Sequence, residues 1–398
     1  MTDQGTGAIS TIQLFGPSAK SIIKKIFKPT APKLPALQLG SISLGTISNG
    51  KKTIDQVTIG CEGEQNFAIH CHGNPLIVEM IMQLLQKHKA KLLSPQELLI
   101  KILSKQKDTT AIEIEAKLTQ ADAMTIEGTK IIANQIKAGL NSKAKAWLKK
   151  INSVSLDKIA AQADKILEKS QIAKLLIAGC KTAIIGPPNS GKSTLLNCLS
   201  GRQKAIVTNI KGTTRDWVSA NCRIGPLYLE LFDTAGLDEK TAAATAATIE
   251  KQAQQKSIEI LEQADLVLLV LDSSRKIEQL NEKTLAKIAG KPVLTILNKS
   301  DLANRLNVSK LPQALRNTTK ISAKLGAGIE KLSKKIQQTC GVLDFDLQSS
   351  ICITARQEKL LKKFKKAKSK QQALSAIAEL LNGKVRKMSS LKACASSM

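Results

Sequence analysis

The chain has 398 residues, 42% of them hydrophobic, which suits two or three domains and excludes global disorder. No apolar run approaches the ~18 residues a membrane helix needs, and Met1–Gly7 carries neither an apolar signal segment nor an Arg-rich transit pattern. The expectation is a soluble cytoplasmic protein, or an organellar one whose targeting segment is missing. Sixty Lys and Arg against 32 Asp and Glu give a net charge of +28, a field that attracts polyanions, while 2% aromatics argue against base-stacking platforms.

Residues 1–85 read as a small α+β domain. Ala8–Leu14 and Asn66–His72 alternate like strands, Pro29, Pro32, Pro35 and the Gly/Ser-rich stretch Gly40–Gly50 punctuate, and Pro75–Leu85 reads as a helix. Residues 86–176 carry little Gly or Pro and space their apolar positions helically, so they form the first part of an all-α domain. Residues 177–341 alternate apolar runs with helical patterns, the βα rhythm of a mostly parallel sheet. The runs are Thr182–Ile185, Leu227–Phe232, Leu266–Leu271 and Val293–Leu297. Residues 342–398 are helical again and basic, so the α/β unit is expected to be inserted into the helical domain. Arg356–Lys370, with eight basic residues and one acid, is the segment expected to contact RNA, its alternative being a solvated helix face. The eight cysteines form no CxxC pair, which speaks against a zinc cluster. His70 and His72 share a strand face without a third ligand, so they read as structural.

The chemistry lies in the third segment. Gly186-Pro187-Pro188-Asn189-Ser190-Gly191-Lys192-Ser193 fits GxxxxGK[ST] between a predicted strand and the helix that opens at Thr194. Loop amides would face the phosphates, Lys192 would reach the β- and γ-phosphates, and the Ser193 hydroxyl would ligate Mg²⁺. Asp233-Thr234-Ala235-Gly236 is a DxxG at a strand end; Asp233 would hold Mg²⁺ through water and the Gly236 amide would sense the γ-phosphate. Asn298-Lys299-Ser300-Asp301 is an NKxD. The Asp301 carboxylate can accept from guanine N1–H and N2–H₂, which adenine cannot supply. Ser322-Ala323-Lys324 stands where an amide contact to guanine O6 is expected. Between them runs Thr208-Asn209-Ile210-Lys211-Gly212-Thr213-Thr214, where a Thr can hold Mg²⁺ with the γ-phosphate present and release it after hydrolysis. Four elements in this order specify a GTP-binding P-loop domain. Leu237 follows Gly236 where Ras-type GTPases place a water-orienting Gln, so another group must position water; Asn189 is a candidate to hold a monovalent cation near the phosphates.

With these motifs the chain resembles the MnmE/TrmE tRNA-modification GTPases over nearly its whole length. The resemblance rests on the Asn189 loop with GTTRD and DTAGL, on Gly63–Gly73, which is similar to the family's GED…EIHCHGG, and on the domain layout. It implies an α/β P-loop GTPase domain inserted in an all-α helical domain and preceded by an α+β domain for dimerisation and folate. It implies GTP hydrolysis that needs K⁺ and pairing of GTPase domains across a homodimer, with modification of tRNA wobble uridine alongside a flavin-bearing partner and a folate one-carbon donor. It places Asn189, Thr208, Ile210 and Thr213 around K⁺, Ser193 and Thr214 on Mg²⁺, and Glu250 as the water-orienting residue. The family's folate-contacting Arg and Glu are Gln13 and Ala68 here, leaving Lys107 as the matching contact, and Cys394 reads as unrelated to the family's C-terminal Cys. The GTPase engine therefore reads as intact and the modification half as eroded. The alternative is a divergent GTP switch that binds tRNA or rRNA without modification activity.

Overall fold

The computed structural model describes residues 7–30, 38–106, 108–202, 219–233, 259–276, 285–286 and 288–385. The chain divides into two compact units, Met1–Thr109 and Thr110–Met398. The first contains β1 (Ile9–Phe15), α1 (Ala19–Ile26), β2 (Phe27–Pro29), β3 (Ile42–Asn49), β4 (Lys52–Gly63), β5 (Asn66–His72), α2 (Pro75–Lys87) and α3 (Pro95–Ser104). Its sheet runs β1-β5-β4-β3-β2 and is antiparallel throughout. Alternation turns Ile12, Leu14, Ile59, Phe67 and Ile69 into one core with Ile22, Ile23, Ile81 and Leu84 of the helices. Asn74 caps α2 with Pro75 in its first turn, and Ser94 and Glu97 form a reciprocal capping box on α3.

Two expectations change here. The Gly/Ser-rich stretch 40–50 is largely strand β3. A Cβ on Gly45 would lie 2.2 Å from the Lys28 carbonyl and 2.6 Å from the Phe27 ring, so this glycine permits close packing against β2. The first unit also runs past residue 85 and takes in α3.

The second unit opens with α4 (Ala111–Gln120), α5 (Ile126–Lys137), α6 (Leu140–Lys150) and α7 (Leu156–Ala178). Gly179, at φ +87°, ends α7 and turns the chain into β6 (Cys180–Ile185). There follow α8 (Lys192–Arg202), β7 (Ser219–Ile224), β8 (Leu227–Asp233), β9 (Leu266–Asp272), β10 (Val293–Asn298), β11 (Thr318–Lys320) and α9 (Ile329–Thr339). The sheet order is β11-β10-β9-β6-β8-β7, parallel except for the antiparallel edge strand β7. The four predicted strands are all present, each carried to its last predicted residue or one beyond.

After the sheet, α10 (Ala355–Lys365) and α11 (Lys370–Asn382) return to the helical layer. Trp147 of α6 and Phe364 of α10 stack at 5.1 Å, inside a cluster that joins α4, α6 and α7 to the C-terminal helices. Buried Glu115 ties the two halves further: it accepts from Arg356 Nε at 2.6 Å, Arg356 Nη2 at 2.8 Å, Gln357 Nε2 at 2.7 Å and Thr354 Oγ1 at 3.1 Å. Arg356, expected at an RNA surface, is therefore a clamp between chain segments 241 residues apart. The GTPase sheet is inserted between these helical halves. A third cluster joins one sheet face, through Ile184, Leu229 and Leu268, to Ile131, Ile132, Leu176 and Ile177 of the helices.

Candidate nucleotide site

The site gathers at the carboxyl ends of four parallel strands, where α/β sheets bind ligands. Ile184 of β6 stands beside Asp233 of β8, and Asp272 of β9 beside Asn298 of β10. The loop 186–191 leaves β6 and enters α8, whose first residue is Lys192. Gly191 is at φ +93°, and a Cβ there would lie 2.2 Å from the Asn298 side-chain nitrogen.

Lys192 is 5% exposed; its Nζ donates to the carbonyls of Gly186 and Pro187 at 3.0 Å each. The Ser193 hydroxyl donates to Asp233 Oδ2 at 2.7 Å. A hydroxyl and a carboxylate, held together at a helix N-terminus, are oxygen donors of the kind Mg²⁺ takes. The Ser190 hydroxyl is buried with no hydrogen-bond partner among the described residues, and Thr194 is exposed on the first turn of α8.

Asn298 Nδ2 donates to the Ser190 carbonyl at 2.9 Å, while its Oδ1 accepts from the Ala323 amide at 3.0 Å. One buried amide thus joins the phosphate loop to the loop expected at guanine O6. The Ala323 amide is engaged by Asn298, and the loop 322–327 is closed by paired backbone bonds between Ser322 and Ala327. Lys324 lies exposed on it.

Lys299 adopts φ +59° and sends Nζ to the Asn189 carbonyl and to Asp272 Oδ2, 2.7 Å each. Asn189 is at φ +62°, its backbone carbonyl held and its side chain exposed. Burial would raise the Asp272 carboxyl, but the Lys299 ammonium and the Ser274 hydroxyl and amide outweigh it and hold it below the usual carboxylate value. Asp272 was not anticipated from the sequence. The signal was an acid closing the otherwise apolar strand Leu266–Asp272, which lies next to the strand that enters the phosphate loop. Asp301 is exposed, and the Ser322 hydroxyl leads the donors that hold its carboxyl low.

The structure thus brings together Asn189, Ser190, Gly191, Lys192, Ser193, Asp233, Asn298, Lys299, Asp301, Ser322 and Ala323. Thr208, Asn209, Ile210, Lys211, Gly212, Thr213, Thr214, Thr234, Ala235, Gly236, Glu250, Lys107 and Cys394 lie outside the described residues. In the first unit, Gln13 donates to Glu62 at 2.8 Å and Asn66 at 2.7 Å, and its cross-strand neighbour is Ala68. His70 bonds Thr11 at 2.9 Å and His72 bonds Asp55 at 2.7 Å.

A family model described as "50S ribosome-binding GTPase" matches residues 181–299, and one described as "GTP-binding protein TrmE N-terminus" matches residues 1–98. The tRNA modification GTPase MnmE of Thermotoga petrophila is 29% identical, across 92% of this chain and 86% of its own. That of Ligilactobacillus salivarius is 31% identical, across 89% and 82%. Among solved structures, the FeoB G-domain from Methanococcus jannaschii aligns at 27% identity and TM-score 0.30, covering 41% of this chain and 98% of its own.

Proposed function

The chain belongs to the MnmE/TrmE family of tRNA modification GTPases, and from that premise we propose that its GTP hydrolysis depends on K⁺ and takes part in tRNA wobble-uridine modification. The observation that carries the K⁺ reading is Asn189: Lys299 holds its carbonyl at 2.7 Å while its side-chain amide stays exposed beside the phosphate loop. Asn189 would hold K⁺ with Thr208, Ile210 and Thr213, and Ser193 and Thr214 would hold Mg²⁺. When bound, the two cations neutralise charge on the phosphate oxygens.

The chain's own groups do the rest. Lys192 exchanges the Gly186 and Pro187 carbonyls for β- and γ-phosphate oxygens. Loop amides at the α8 N-terminus bind the anion. Asp301 accepts from guanine N1–H and N2–H₂, and Glu250 orients the attacking water. GTPase domains pair across a homodimer, in the cytoplasm, with tRNA and a flavin-bearing protein as partners. Among the described residues no helix is long and apolar enough to cross a membrane.

GTP turnover in KCl against NaCl tests this, with and without Asn189→Lys. Turnover that is fast in K⁺ alone and lost in the variant is expected; slow turnover indifferent to the cation overturns it. One observation favours a second reading, a GTP switch that binds RNA without modification: Gln13 and Ala68 adjoin each other where the family's folate contacts are expected, and Gln13 is spent on Glu62 and Asn66. Restoration of modified uridine in cells lacking the normal enzyme excludes it.

A further inference from the structure

We propose that RNA docks on one basic face of the helical layer, built from the outward ridge of α10, the α10–α11 turn and the C-terminal end of α6. The proposal rests on the tRNA reading above.

Helical spacing defines the ridge. Leu360, Leu361 and Phe364 turn inward and are buried, so Lys359, Lys362 and Lys366 fall on the opposite side at i, i+3 and i+7. All three are exposed, and the ridge is about 10 Å long at ~1.5 Å per residue. The flanks differ from the ridge in that their lysines are paired: Lys365 with Asp164 at 2.5 Å and Lys363 with Glu379 at 3.7 Å. The single acid of α10, Glu358, is buried against Lys174 at 2.6 Å. No carboxylate among the described residues pairs with Lys359, Lys362, Lys366 or Lys368, so their charge is uncompensated.

The face continues onto a second element. Lys370 donates to the Asn152 carbonyl just past α6 at 2.8 Å, and Trp147 stacks on Phe364 beneath. That places exposed Lys149 and Lys150, at the end of α6, beside the turn. The apolar side of α10 is spent on the core. Leu148, 40% exposed, is the large apolar exception nearby, so the face offers charge with little to insert into a bilayer. Phosphates of a folded RNA match it; Arg356, clamped on Glu115, is not part of it.

The test uses the full chain and a tRNA transcript, titrated at 50 to 200 mM KCl. One variant carries Lys359→Gln, Lys362→Gln, Lys366→Gln and Lys368→Gln. A charge-matched control carries Lys20→Gln, Lys24→Gln, Lys25→Gln and Lys28→Gln, all exposed in the first unit. Thermal unfolding establishes that both variants are folded. The α10 variant is expected to lose at least tenfold in affinity at 50 mM KCl. Its slope of log K against log[KCl] should fall by about 3, four contacts at ~0.7–0.9 each, while the control stays within twofold of wild type. Equal losses in both variants, or none in the α10 variant, overturn the face. Wild type that binds anionic phosphatidylglycerol vesicles and no tRNA overturns the tRNA reading as well.

Discussion

Lys299 shows how much one residue can organise. Its positive φ aims a single ammonium at the phosphate loop and at Asp272, so the base-side motif and the phosphate side are tied through one side chain. Asp272 has a folded value below its unfolded one, so its pairing stabilises the fold above the unfolded carboxylate pKa of about 4 and is lost as pH falls through the depressed folded value. Unfolding free energy measured from pH 7 to pH 3 should therefore drop more steeply for wild type than for Asp272→Asn, which has no carboxylate to protonate. Identical acid limbs would show that the pairing carries no net weight. Asp301 makes a sharper prediction. Asn in its place offers one donor and one acceptor, which suits xanthine and strands a guanine donor. Asp301→Asn should lose GTP affinity on the order of 100-fold and gain affinity for the xanthine nucleotide, read by competition with a fluorescent nucleotide. Asp301 was legible in the sequence because its role follows from a four-residue pattern. Asp272 was not, because an acid that ends an apolar strand has no local signature; its partner arrives 27 residues later from the adjacent strand.

Among the elements, α4 and α10 meet through a charge that neither could bury alone. Glu115 is 2% exposed and its carboxylate accepts four hydrogen bonds, two from Arg356. Arg356 also donates to the Glu379 and Leu380 carbonyls in the last turn of α11, at 2.9 and 3.1 Å, and the Glu379 carbonyl accepts from the Gly383 amide as well. Removing one member strands the other, which typically costs about 3–5 kcal/mol. Glu115→Ala should lower unfolding stability by that much in urea titration, and Arg356→Ala by a similar amount. The double variant should cost much less than the sum, since both remove the same interaction. Additive losses would mean that each residue acts through separate contacts. Sequence pattern supplied the helices but not this clamp, because a basic run reads as one solvated face until the partner helix shows which member turns inward. The strands divide the same way. β6, β9 and β10 are buried on both faces, β8 alternates buried Leu227, Leu229 and Leu231 with half-buried neighbours, and all four were legible as strands, whereas Gly45 reads as a turn signal until Phe27 is seen packed against its α-carbon.

In the second unit as a whole, the helical layer and the GTPase sheet share a core. Leu176 and Ile177 end α7 one turn before β6, and they pack in one cluster with Ile131 and Ile132 of α5 and with Ile184, Leu195 and Leu229 of the sheet and α8. Leu195 lies three residues past Lys192, so the layer that supports the phosphate loop is the layer the helices cover. Leu176 is 1% exposed, and its truncation to Ala removes buried surface and leaves a cavity, together worth about 2–5 kcal/mol. The consequence concerns cooperativity as well as magnitude. Because the cluster contains both parts, release of bound nucleotide and loss of helical circular dichroism from the second unit should report one transition, and Leu176→Ala should move both midpoints together. A variant that melts the helices first, with nucleotide still held, would mean that the sheet is stabilised by α8 and α9 without the helical layer. The insertion would then be a tether between independently stable parts. Coincident transitions would mean that a load on the helices, such as RNA bound along α10, acts on the same packed body that holds the phosphate loop.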